Sequence, residues 1–135
     1  MYKNILVPVL IGEDHDTQPS FLAARTLADE GANFTVLHVM EAIPSFVATQ
    51  LPKDALDRSR DHAEKALIKS AAALPGASTH LAVGHAGRFI VDYAEEHGVD
   101  CIIIASHRPG IEDYFLGSTA ARVVRHAQCA VHVIR

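Results

Sequence analysis

The chain has no tryptophan, only two cysteines and two methionines in 135 residues, and aromatic side chains make up 6% of it. Two cysteines cannot staple a small secreted scaffold. Both fall in or beside apolar strand-like runs, where thiols behave as small core side chains, so the expected setting is a reducing cytoplasm. An excess of one charge is also missing. Twelve basic and sixteen acidic residues leave a net charge of −4, which supplies no basic footprint for nucleic acid. No apolar run approaches the roughly 20 residues that span a bilayer, so no membrane insertion is expected. The opening MYKNILVPV is short, β-branched and broken by Pro8, unlike a secretory leader. Repeats, low-complexity tracts and linker-like stretches are absent too, and residues 1–135 read as one domain large enough for a true core.

What is present is alternation between two kinds of segment. Continuous apolar runs at 4–10, 34–39, 80–83, 99–105 and 130–134 suit strands buried on both faces. Between them lie helix-like stretches at 16–30, 53–74, 87–97 and 117–127. The first is capped by Asp16 or Thr17 and stopped by Gly31, and the second is stopped by Pro75-Gly76. Residues 41–52, with two prolines and no steady period, read as a long loop placed to cover a pocket. Strands alternating with helices imply parallel pairing through right-handed crossovers. The expected architecture is therefore α/β, a doubly wound five-stranded parallel sheet with helices on both faces. Function belongs at the carboxyl ends of its strands, near the switch in strand order.

The fourth strand ends in Ala105-Ser106-His107-Arg108-Pro109, and the chain then reaches Gly117-Ser118-Thr119 at a helix start. Unpaired backbone N–H groups and the positive end of a helix dipole suit a phosphate there. Arg108 and His107 lie a few residues earlier and are placed to add a guanidinium fork and an imidazole. On spacing alone, Ser118 or Thr119 reads equally well as an ordinary helix cap.

Other chemistry has less support. The nine histidines show no metal-ligand spacing. Ser106, His107 and Asp113 share a loop without a nucleophile elbow. Cys101 and Cys129 start neighbouring strands and read as reduced core thiols, with a redox pair as the alternative. Neither a metal site nor a catalytic residue is expected. The last strand is an uncovered apolar edge that invites a second copy, with Val131 and Val133 at the centre of the contact and His132 on the opposite face.

The run from Leu116 to Val131, LGSTAARVVRHAQCAV, resembles the tail motif of the universal stress proteins. Lys3-Asn4-Ile5-Leu6-Val7-Pro8-Val9, Leu37-His38-Val39, Gly84 and Asp100-Cys101-Ile102-Ile103-Ile104 match the rest of that family's frame, so the resemblance covers essentially the whole chain. It implies strand order 3-2-1-4-5, with β1 and β4 adjacent at the switch, and a cytoplasmic stress-response protein working as a homodimer through its C-terminal strand. It also implies ATP or another adenine nucleotide as ligand, with or without Mg2+. The nucleoside would lie near Pro8, Val9, Leu10, His38, Val39 and Ala105, and the phosphates over Gly117, Ser118 and Thr119, reached by His107 and Arg108. The chain departs from the family's nucleotide-binding pattern at several points. Ala105 and Arg108 replace two glycines, the stretch before Gly117 is one residue short, and Leu10 stands where an aspartate is usual. Those departures support an alternative, a dimeric interaction module of the same fold that binds an unknown protein partner and no nucleotide. A slow phosphohydrolase ranks third, since no general base is placed by the sequence.

Overall fold

A computed structural model of the chain describes residues 1–12, 15–106 and 116–135. Within them the elements are β1 Tyr2–Pro8, α1 Gln18–Leu27, β2 Ala28–Glu41, α2 Ser45–Ala48, α3 Ala55–Ala71, β3 Ser78–Gly84, α4 Ala86–Glu96, β4 Cys101–Ala105, α5 Ser118–His126 and β5 Ala130–Ile134. The strands make one parallel sheet in the order β3-β2-β1-β4-β5, as the family resemblance implied.

The apolar runs serve two cores at once, because successive strand side chains point to opposite faces. Ile5, Val7, Val36, Cys101 and Ile103 pack with Phe21 and Ala24 of α1 and with Leu67 and Ala71 of α3. Leu6, Leu37, Ile102 and Ile104 pack with Ile90 and Ala94 of α4 and with Ala120 and Val123 of α5. Each such aliphatic side chain contributes about 1.5–3 kcal/mol on burial, so both layers are needed to hold the sheet. No helix among the described residues is long and apolar enough to cross a membrane.

Several boundaries differ from expectation, each for an identifiable reason. The helix expected over 16–30 stops at Leu27, because Ala28 already pairs with Tyr2 across the sheet and Gly31, at φ +77°, turns the chain before Asn33 joins Asn4. Tertiary pairing overrides the helix preference of Ala-Asp-Glu there. At its start, the Asp16 carboxylate accepts the Gln18 N–H at 3.0 Å. The segment 41–52 is not structureless: β2 runs on through Glu41, and a single turn of helix, α2, follows Pro44. Strand β1 ends at Pro8, which has no N–H to give. Val9 is still tied to β2 through its N–H, 2.8 Å from the Leu37 carbonyl, whereas Leu10 leaves the sheet and is 47% exposed.

The fourth strand begins at Cys101 rather than Val99, and Asp100 acts as a clamp ahead of it. Its carboxylate accepts the N–H groups of Lys3 and Asn4 at 2.8 and 3.0 Å, and its own N–H donates to the Asn4 carbonyl at 3.0 Å. The Asn4 side chain in turn donates to the His97 carbonyl at 2.8 Å. Asp100 thereby fixes the register of β1 against β4, the pair that defines the switch point. Replacing Asp100 with Ala leaves two strand amides without their acceptor and is expected to cost about 1–3 kcal/mol. The check is urea unfolding, with the midpoint lowered at unchanged slope; an unmoved midpoint contradicts the clamp.

Candidate functional site

The carboxyl edge of the sheet is organised by Ser106, which follows β4 and is buried. Its N–H donates to the Ile134 carbonyl at 2.9 Å, and its hydroxyl donates to the same oxygen at 3.2 Å. The Ser106 carbonyl accepts the Gly117 N–H at 3.2 Å. One residue therefore ties the end of β4 to the end of β5 and to the start of α5. A side chain at 117 would bring a Cβ within 3.1 Å of the Ser106 oxygen, so glycine is what allows this approach. No side chain among the described residues caps the first turn of α5. Its leading N–H groups and the positive end of its dipole therefore remain suited to an anion.

The second fixed point is His38. Its Nδ1 lies 2.8 Å from the Val9 carbonyl. A carbonyl can only accept, so Nδ1 carries the proton and His38 donates. This bond, with the Val9 N–H bond to Leu37, holds the chain as it leaves β1.

A cleft of about 300 Å³ is lined by Glu41, His85, Ala86, Ser118, Thr119, Ala121, Arg122, Arg125 and His126. Glu41 closes β2, His85 and Ala86 start α4, and the rest belong to α5. The His85 Nδ1 accepts the Arg88 N–H at 3.2 Å and caps α4. In neutral His85 the ring proton must then sit on Nε2, so His85 remains a donor.

Pro8, Val9 and His38 lie together at the ends of β1 and β2. Ala105 ends β4 next to them in the sheet, and Gly117, Ser118 and Thr119 are brought in through Ser106. Ser118 and Thr119 also line the cleft. The side chains of Val9 and Val39 serve opposite cores, so they do not face one space. Leu10 stands at the surface. His107 and Arg108, together with Asp113, lie outside the described residues. The Ser106 hydroxyl donates to the Ile134 carbonyl. On β5, Val131 and Val133 pack against the core shared by α4 and α5, while His132 is exposed.

Sequence reasoning missed Glu41, His85, Arg122, Arg125 and His126. The signal was available in part. Ser118, Arg122 and Arg125 or His126 recur at helical spacing and so share a side of α5. Nothing in the sequence said that α4 begins across from them.

The universal stress protein family model matches residues 1–135. A relative from Coxiella burnetii, universal stress protein A homolog 2, is 32% identical over 99% of this chain and 95% of its own length. The solved universal stress protein UspA from Lactobacillus plantarum shares 30% identity with a TM-score of 0.79, covering 99% of this chain and 98% of that one. A universal stress protein from Archaeoglobus fulgidus, solved in complex with dAMP, is 21% identical with a TM-score of 0.63, over 99% of this chain and 98% of that one.

The cysteines lie close to the site's foundations without joining it. Both are free thiols. Cys101 packs in the α1/α3 core and Cys129 against the α4/α5 core, so they sit on opposite faces of the sheet. Burial, helped by nearby Cys129 and Asp100, pushes the Cys101 thiol from an ordinary 9.0 to about 11. Burial also raises Cys129. A thiol is the unreactive form, so Cys101 is expected to resist thiol reagents at pH 8–9 until the protein unfolds. The unfolded chain releases this proton from about 9.0, whereas the folded chain keeps it to about 11. Stability should therefore fall as pH rises through that window. Rapid labelling of native Cys101 at pH 8, read by mass spectrometry, contradicts this.

Proposed function

The chain belongs to the universal stress protein family, and from that premise we propose that it is a cytoplasmic regulator of stress adaptation that binds an adenine nucleotide at the carboxyl edge of β1 and β4. The observation that carries the reading is the junction of Ser106 with Gly117, which ties the start of α5, uncapped by any side chain among the described residues, to the carboxyl end of β4. A phosphate at that start would meet backbone donors and the helix dipole, with no capping side chain among the described residues to displace. Universal stress proteins solved with AMP, dAMP or cAMP are relatives in fold, and their ligands motivate the choice of adenine nucleotide here. In this reading His38 and Val9 keep the nucleoside end in shape, and Mg2+ would accompany a triphosphate. The protein acts by binding, with no residue assigned to catalysis.

A second reading is favoured by Leu10. An apolar, half-exposed side chain stands where a polar contact to the nucleoside would be useful, which suits a protein-binding surface better than a ribose. In either reading we propose a homodimer joined through β5, the free edge next to β4.

Titration calorimetry of apo protein with AMP and with ATP and Mg2+ is expected to give saturable heat, lost in Gly117→Val, whose side chain meets the Ser106 carbonyl. No heat with any adenine nucleotide removes the nucleotide reading and leaves the interaction module. The same samples in sedimentation velocity are expected to run as dimers. A Val133→Lys variant that folds and still runs as a dimer excludes pairing through β5.

A further inference from the structure

The face of α5 that borders the cleft carries Ser118, Thr119, Arg122, Arg125 and His126. From Ser118 to Arg125 the helix rises about 10 Å, more than one phosphate group occupies. Donors suited to anions therefore continue well past the helix start. Arg122 is the best positioned of them. It is half-buried, and its stem lies across Gly87 of α4: a Cβ added at 87 would come within 2.8 Å of Arg122 Cδ and 3.2 Å of its Cβ. The missing side chain at 87 is thus a seat for the arginine stem, and it lets a guanidinium stand at the cleft between two helices. Among the described residues, neither Arg122 nor Arg125 has an ion pair. Across the cleft, His85 offers its Nε2 proton, for its Nδ1 is taken by the Arg88 N–H. Among the described residues Glu41 is the one carboxylate in the lining and is outweighed by the two guanidiniums.

We propose that this groove receives the outer groups of a polyphosphate chain, so that the protein distinguishes triphosphates from monophosphates through Arg122 and Arg125. The cleft's volume, about 300 Å³, suits a small anionic ligand rather than a peptide. Guanidinium forks match phosphate oxygens better than point charges would. The inference rests on the nucleotide reading for the base and ribose, whereas the groove itself concerns phosphate alone.

Calorimetry with AMP, with ATP and with inorganic tripolyphosphate separates the two. Wild-type protein is expected to prefer ATP over AMP by at least about tenfold and to bind tripolyphosphate on its own. In Arg122→Ala and in Arg125→Ala the ATP-to-AMP ratio should collapse to within about threefold, with tripolyphosphate binding lost in the double variant. Arg125 is exposed, so its variant tests the groove even if loss of Arg122 disturbs packing; circular dichroism verifies the fold of each. Equal affinity of the wild type for ATP and AMP, or variants that keep the preference, overturns the groove and leaves nucleotide binding standing. If neither nucleotide binds, the nucleotide reading fails and tripolyphosphate decides alone: binding that the double variant loses upholds the groove, and no binding overturns it.

Discussion

Ser106 spends its amide and its hydroxyl on one acceptor, the Ile134 carbonyl, and its own carbonyl on the Gly117 amide. Those three bonds fix the end of β4 to β5 and to α5 in a buried place where unmet polar groups would be costly. The start of α5 is therefore tied to the sheet. The rest follows from that constraint. A Cβ at 117 would crowd the Ser106 oxygen at 3.1 Å, Ser118 and Thr119 then open the helix at the cleft, and Arg122 falls one turn later against Gly87.

The same edge is held from the other side by backbone contacts. Asp100 sets β1 against β4 at their starts, and His38 holds Val9 where β1 ends. The switch point is thus pinned at both ends by polar groups and filled between them by Ile5, Leu6, Ile102 and Ile103. Apolar burial supplies most of the stability, while the few polar bonds decide register. This division explains how Leu10, exposed beyond β1, can differ from the family pattern without cost to the fold.

Most of the fold was legible because it is written in runs and stops. Ile102-Ile103-Ile104, short and β-branched, suits a strand buried on both faces, and Pro75-Gly76 stops α3's segment. The parts that were not legible depend on distant partners. Ala28-Asp29-Glu30 favours helix until Tyr2 pairs with Ala28. At the site, Gly117-Ser118-Thr119 was visible as a helix start suited to phosphate, yet Ser106 as its anchor was not, since its partner Ile134 lies 28 residues away. Arg122 and Arg125 lie in the same helix segment, and only the folded chain brings His85 and Glu41 to the same cleft.

The start of α5, as Ser106 holds it, is where an anionic ligand is expected to land. Amide chemical shifts recorded while ATP and Mg2+ are added to isotope-labelled protein test it most directly. Saturable shifts centred on the amides of Gly117, Ser118 and Thr119 are predicted. Saturable binding that leaves those three amides unmoved would contradict it.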